Sequence, residues 1–89
     1  MKELYIMPGI FDCVHFKEHP NDAPSKTFET LDMAVEGLEP YLKDRPINLI
    51  IEYGKDVYET VCNKIIEKYP TDKYPKYDLF RKSQKLKGR

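Results

Sequence analysis

The apolar residues of this chain begin in an extended pattern and then change to a helical spacing. Between residues 3 and 17 they form two extended runs, and the segment 10–17 carries apolar side chains on both faces. Pro8-Gly9 between the runs fits the centre of a type II turn, with Gly9 at positive φ. We therefore expect two strands joined by a corner or a loose hairpin, the second strand lying inside a sheet.

Helical spacing follows a loop that contains two prolines. Apolar residues recur at intervals of three and four over residues 28–42 and again over residues 57–69, which predicts two amphipathic helices. Ser25 or Thr27 is expected to cap the first helix, and Asp56 starts a capping-box pattern for the second.

A β-rich run at residues 47–53 lies between the two helices, and residues 77–80 add a candidate final strand. A strand–helix–strand order predicts a parallel pair joined by a crossover. The fold class we predict is α/β of the α+β type. It is a two-layer sandwich in which a small mixed sheet of three or four strands is covered by two helices.

The charged residues are divided unequally along the chain although the net charge is zero. Residues 1–72 hold eight Lys and Arg against fourteen Asp and Glu, whereas residues 73–89 hold seven against one. We therefore expect a compact α/β domain over 1–72 and a basic, aromatic-containing segment over 73–89, which is a last strand followed by a flexible tail. Such an asymmetry indicates an anionic partner.

Size and composition narrow the functional classes. A chain of 89 residues buries a modest core and has little room for a deep catalytic cavity. No apolar run is long enough to span a bilayer, and the first residues do not resemble a signal peptide. Cys13 and Cys62 are expected to be reduced thiols. We therefore expect a cytoplasmic binding protein without a cofactor rather than an enzyme.

RNA binding is the leading functional hypothesis. Aromatic residues alternate with cations over residues 69–82, and single-stranded nucleic acid is bound by cations at its phosphates and by aromatic rings at its bases. The competing interpretation is a solvated terminus whose cations pair with the acidic body and whose tyrosines belong to the core of a last strand. The predicted contacts are Lys73, Tyr74, Lys76, Tyr77, Phe80, Arg81, Lys82, Lys85 and Lys87.

Two alternatives use the same charge asymmetry. Acidic residues of the first predicted helix would repel phosphates, so RNA must meet the tail end of the molecule. The tail of one copy could instead lie across the acidic helix of another and form an isologous homodimer. The second functional hypothesis is a regulatory protein-binding inhibitor or adaptor, for example of a nuclease, that acts through charge complementarity.

Three further patterns, two among the cysteines and histidines and one at a turn, indicate a function more weakly. Cys13, His15 and His19 could join Cys62 or Asp12 around a zinc ion, but their spacing matches no paired zinc motif. The same residues could form a nucleophile and a base, although Asp12 is badly placed to orient His15. We therefore predict neither a metal site nor a catalytic site.

The turn at residues 53–56 has a glycine and a lysine at the start of the second predicted helix. Amides at a helix start can bind an anion. A carboxylate in the capping position would compete with that anion, so we interpret this turn as a plain connection.

Overall fold

Five strands form one mixed sheet in the computed structural model of the chain, which describes residues 2–18, 23–44 and 46–81. The strands are β1 (Lys2–Pro8), β2 (Val14–Lys17), β3 (Lys26–Phe28), β4 (Ile47–Ile51) and β5 (Tyr77–Arg81). Their order is β3-β2-β1-β4-β5. The neighbours β1–β4 and β4–β5 are parallel, and β1–β2 and β2–β3 are antiparallel. The helices are α1 (Leu31–Glu36), α2 (Glu39–Asp44) and α3 (Lys55–Lys68).

This architecture confirms the predicted two-layer α+β fold, but the sheet has five strands rather than three or four. The missed strand is β3, whose residues were assigned to the start of the first helix. Phe28 belongs to the helical spacing, yet it pairs with Val14 in the sheet and its ring lies 4.7 Å from that of Phe16. The predicted cap at Ser25 or Thr27 is therefore wrong. Thr30 caps α1 instead, its side chain accepting a bond from the Met33 amide.

The first predicted helix is divided at Gly37 into α1 and α2. A Cβ at Gly37 would lie 2.5 Å from Cζ of Phe28, so the glycine lets the aromatic ring approach the helix end. Pro40 lies in the first turn of α2. Amide protons in a first turn have no partner within the helix, so a proline there costs no helical hydrogen bond. The apolar spacing therefore continues across the break because both short helices cover the same sheet face.

The β1–β2 connection is a loose hairpin, as expected, but its geometry differs from the predicted turn. Gly9 has φ −112°, and positive φ falls instead on Phe11 at 52° and Asp12 at 65°. Residues Ile10–Asp12 form a short 3₁₀ turn, so β2 begins only at Val14. The prediction of positive φ at Gly9 is wrong. The prediction that the second strand lies inside the sheet is confirmed, because β2 lies between β1 and β3.

Helix α3 covers the segment predicted from its spacing, but it begins without the predicted capping box. Gly54 is the N-cap residue and makes no side-chain capping bond, while Asp56 lies in the first turn. A carboxylate in the first turn still favours the helix through its interaction with the dipole. The buried side chains of α3 are those of Val61, Cys62 and Ile65.

The core lies between the helices and one face of the sheet. Alternate residues of β1, β2 and β4 point into it, which is the period of two expected for strands. The buried strand residues are Leu4, Ile6, Val14, Phe16, Ile47, Leu49 and Ile51. They meet the helix residues Ala34, Val35, Leu38, Leu42, Val61, Cys62 and Ile65.

Tyr69, just after α3, connects three parts of the molecule through hydrogen bonds. Its side chain is only 1% exposed, and its hydroxyl donates to the carbonyl oxygens of Val35 at 2.7 Å and Glu36 at 3.2 Å. The hydroxyl of Tyr77 donates to the Tyr69 carbonyl oxygen at 2.6 Å. The end of α1, the end of α3 and the start of β5 therefore meet at one buried junction.

Replacing Tyr69 by Phe should destabilise the fold by about 1–3 kcal/mol, because the hydrogen bonds from its buried hydroxyl to the Val35 and Glu36 carbonyl oxygens are lost. Burial, reinforced by the charge of Glu39, raises the pKa of Tyr69 from 10.0 to about 12. The stability that the Tyr69 hydroxyl adds to the folded protein is thus fully present below pH 10 and is lost as pH rises through 12. The stability gap between wild type and Tyr69→Phe should therefore be smaller at pH 11 than at pH 7.

Urea unfolding at both pH values measures that gap. Tyr53→Phe is the matched control, since it removes a half-buried hydroxyl away from the junction. Equal losses for the two variants at pH 7 would contradict the role assigned to Tyr69.

Candidate nucleic-acid interface

The residues predicted to contact RNA are separated by β5 into two groups. Lys73, Tyr74 and Lys76 lie in the turns that precede the strand, while Phe80 and Arg81 lie at its far end. Lys82, Lys85 and Lys87 lie outside the described residues. At about 3.3 Å per residue, Lys76 and Arg81 are about 16 Å apart along the strand.

The first group lines an open groove of about 340 Å³, which we call the lysine groove. Its basic side chains are those of Lys43 at the end of α2 and of Lys73 and Lys76 before β5. Its remaining lining residues are Leu42, Tyr74 and Pro75. The groove therefore combines an apolar floor with three cations that come from two distant parts of the chain.

The turn that carries Lys73 is held by backbone bonds rather than by its own side chains. The amides of Lys73 and Tyr74 both donate to the carbonyl oxygen of Pro70, each at 2.9 Å. The ring of Tyr74 meets that of Tyr69 edge to face, with centroids 5.1 Å apart. Because Tyr69 is part of the buried junction, the lysine groove has a fixed wall.

Tyr77 does not share the surface of its neighbours. It is 5% exposed, and its hydroxyl is occupied by the Tyr69 carbonyl oxygen. The structure thus places Tyr77 in the core of the last strand, which the sequence had left open as the competing interpretation for the tyrosines. Tyr74 is half-buried in the lysine groove, so it is the tyrosine of the pair with an accessible surface.

Phe80 and Arg81 point to opposite faces of the sheet, because successive strand residues alternate. Phe80 is 46% exposed on the face that carries no helices. The guanidinium group of Arg81 lies 5.6 Å from the centroid of the Tyr58 ring of α3. The structure therefore does not bring these two residues into the lysine groove.

The open face of the sheet carries a cross-strand row that the sequence analysis did not identify. Strand pairing aligns Lys17, Tyr5, Ile50 and Phe80 from β2 to β5. Glu3, Asn48 and Asp78 form the next row along the strands. The first row is apolar at Tyr5, Ile50 and Phe80 and ends in Lys17, and the second carries the carboxylates of Glu3 and Asp78. The part of this face on β1, β4 and β5 therefore suits an apolar or basic ligand better than a phosphate chain.

The hairpin tip, Ile10–Asp12, presents the most exposed apolar side chains in the described structure. Ile10 is 71% exposed and Phe11 is 90% exposed. Gly9 below the tip allows the His15 ring to approach: a Cβ at Gly9 would lie 2.6 Å from Nε2 of that ring. Nδ1 of His15 is 2.9 Å from Oγ1 of Thr27, so the tip is supported by side chains of β2 and β3.

The cysteine and histidine residues do not assemble into a reactive or metal-binding group where the structure describes them. His15 makes its contact with Thr27, and Cys62 is buried in α3. Burial raises the pKa of the Cys62 thiol, which disfavours the reactive thiolate. Within residues 2–18, 23–44 and 46–81, no three His, Cys, Asp or Glu residues are placed to share a metal ion. His19 lies outside these ranges.

The lysine groove includes one residue that sequence reasoning missed. Lys43 is not among the contacts predicted from the sequence, and its ammonium group lies 3.6 Å from a carboxylate oxygen of Glu39. Both side chains are exposed, so this pair is weak and leaves the lysine able to bind other anions. Nothing in the neighbouring sequence of Lys43, which directly follows the buried Leu42, indicates that it lines a groove with residues 73–76.

No family model, curated protein sequence or solved structure matches this chain. No described helix has the length and apolar character needed to cross a membrane.

Replacing Gly9 by Ala should destabilise the protein by about 1 kcal/mol, because the new methyl group must displace the His15 ring from Thr27. The control is the same substitution in a His15→Ala background, since every atom that a Cβ at Gly9 would meet belongs to the His15 ring. Chemical denaturation compares the cost of Gly9→Ala in the two backgrounds. An equal cost with and without the imidazole ring would contradict the packing described for the tip.

Proposed function

We propose that this protein binds single-stranded RNA, with the lysine groove as a phosphate-binding site. The observation that carries the proposal is the convergence of Lys43 with Lys73 and Lys76 around an apolar floor. Cations from two distant segments share one groove, and phosphate groups are the ligands that lysines commonly bind in nucleic-acid proteins. The proposal assigns no catalytic role to the chain.

The free charge of the groove supports an anionic ligand. The ion pairs of the described residues are Lys43–Glu39 and Lys64–Asp32, so Lys73 and Lys76 take no part in them. The lysine that is paired has an exposed and therefore weak partner. A bound phosphate chain would place negative charge beside all three lysines of the groove.

Charge elsewhere favours a single strand over a long duplex. Residues 1–72 carry an excess of six acidic groups, from fourteen Asp and Glu against eight Lys and Arg. A rigid duplex crossing the molecule would meet that acidic surface, whereas a flexible strand can enter the groove alone. The accessible part of Tyr74 offers one aromatic surface for an unpaired base.

The basic tail enters the proposal as a second contact. The strand β5 separates the lysine groove from Arg81, after which Lys82, Lys85 and Lys87 follow in sequence. The groove and the tail are therefore treated as two contacts that can be removed separately. RNA spanning both would follow the exposed edge strand β5.

The double variant Lys73→Glu/Lys76→Glu should weaken binding of a labelled single-stranded RNA at least tenfold at low salt, since each lost phosphate contact also loses counterion release. The log–log salt slope should become less steep by about 1.4, which is 0.7 for each of the two contacts. Fluorescence anisotropy at several salt concentrations measures both quantities.

The control is Lys26→Glu/Lys55→Glu, which makes the same change in net charge at two exposed sites away from the groove. Deleting residues 82–89 measures the tail separately. Equal losses in the groove variant and the control, or binding that ignores salt, would contradict the proposed site.

The protein-binding alternative is supported by a different observation, the apolar row on the open sheet face. A partner that covers Tyr5, Ile50 and Phe80 would desolvate aromatic surface, which is typical of interface centres. If this alternative holds, proteins captured from a lysate should remain after ribonuclease treatment and be lost with Phe80→Ser. Loss of every partner on ribonuclease treatment would instead support RNA.

A further inference from the structure

The hairpin tip holds its most exposed side chain in an unfavourable backbone conformation. Phe11 has φ 52° and ψ 49°, and Asp12 follows with φ 65°. Left-handed backbone is disfavoured for residues with a Cβ, above all for bulky ones. Two successive residues adopt it here, and the result is a phenylalanine ring that projects into solvent beside Ile10.

Hydrogen bonds and packing around the tip preserve this conformation. The Gly9 amide donates to the Cys13 carbonyl oxygen at 2.7 Å, and the Cys13 amide donates to that of Ile10 at 3.1 Å. These bonds close the loop, and the His15 ring packs against Gly9 below it. Backbone strain that the surrounding structure maintains, and that holds an aromatic ring exposed to solvent, is typical of a binding element.

The lysine groove has the complementary character. Leu42, Tyr74 and Pro75 give its lining apolar surface, and its three lysines give the same lining positive charge. The tip presents an aromatic ring directly followed by the carboxylate of Asp12. An aromatic side chain on the apolar part of the groove would bring this carboxylate near the lysines, which matches the charge of the groove.

The tip and the groove of one molecule cannot meet. Strands β1, β4 and β5 are parallel. The tip follows the end of β1, whereas the groove precedes the start of β4 and of β5. They therefore lie at opposite edges of the sheet, and the two can join only between separate copies.

We propose that the Phe11–Asp12 tip of one copy docks into the lysine groove of a second copy. The contact is heterologous, because the tip of one molecule meets the groove of the other. Every assembly therefore keeps an unoccupied tip at one end and an unoccupied groove at the other. Association is therefore open-ended, in contrast to the isologous dimer expected from sequence. This self-association goes beyond RNA binding and competes with it, because RNA is proposed to enter the same groove.

The charge of the tip favours a second copy over other occupants. Asp12 belongs to the tip. Its carboxylate repels the phosphates of nucleic acids and of anionic lipids. The lysine groove is the basic, apolar-floored surface that the described structure offers to such a tip.

Sedimentation velocity over about 10 µM to 1 mM tests the contact, since an interface this small is weak. Wild type should show an average size that keeps rising with concentration and does not level at a dimer. Phe11→Ser should lower the association constant about tenfold or more, because it removes the ring that would be buried. As Phe11 is exposed, this variant should keep the circular dichroism spectrum and the RNA affinity of wild type.

A mixture of two variants gives the decisive result. Phe11→Ser has an intact groove, and Lys73→Glu/Lys76→Glu has an intact tip, so each alone should associate about tenfold or more weakly than wild type. Mixed together they should form a 1:1 heterodimer and nothing larger, since one functional contact remains. Added single-stranded RNA should dissociate that heterodimer if the proposed function is also right.

Three outcomes would overturn the proposal. They are a wild-type monomer throughout the concentration range, a dimer that is unchanged by Phe11→Ser, and a mixture of variants that remains monomeric. Heterodimer formation without any RNA binding would support the tip contact while refuting the RNA proposal, so the two failures are distinguishable.

Discussion

The buried hydroxyl of Tyr69 is the interaction on which the arrangement of this small fold depends. It donates to carbonyl oxygens at the end of α1, and the carbonyl of Tyr69 itself receives the hydroxyl of Tyr77. The Val35 carbonyl oxygen also accepts the Leu38 amide, so the tyrosine hydroxyl adds a side-chain donor to the end of α1. One aromatic residue thus ties the end of α1 to α3 and to β5. In a chain with such a modest core, a polar junction of this kind helps to specify one arrangement of the elements.

The lysine groove is a consequence of that junction. Pro70 follows Tyr69 directly and accepts two amides of the next turn, and the Tyr74 ring packs on the Tyr69 ring. The turn before β5 is therefore attached to the core by contacts that do not involve the side chains of its lysines. Their charged groups are left for solvent or for a ligand. The Lys43 end of α2 completes the groove because the chain between α2 and β4 lies at the same edge of the sheet as the chain between α3 and β5.

The parts of the fold that the sequence predicted correctly are those with strong local periodicity. The spacing over residues 57–69 identified α3, and the run of β-branched residues identified β4. The strand β3 was missed because Phe28 satisfies two patterns at once, and only its pairing with Val14 decides between them. The break at Gly37 was missed for a related reason, since both short helices keep the same apolar side toward the sheet.

The candidate site was predictable only where its residues are neighbours in sequence. Interleaved charges and aromatics drew attention to residues 73–76, but the contribution of Lys43 depends on tertiary packing. The same limit applies to Tyr77, whose burial follows from the alternation of β5 and from the position of Tyr69. Positive φ at Phe11 was equally inaccessible, because the adjacent Gly9 is the residue that local rules would choose.

The parallel arrangement of β1, β4 and β5 separates the two chemically distinctive ends of the molecule. Connections that precede parallel strands gather at one edge, and connections that follow them gather at the other. The basic groove therefore lies at the first edge, and the strained apolar tip with its carboxylate lies at the second. Because the net charge is zero, any selectivity for a partner must come from the unequal distribution of charge and from such local surfaces. If the groove binds both RNA and the tip of another copy, as we propose, the concentrations of RNA and of protein decide between the two states by mass action.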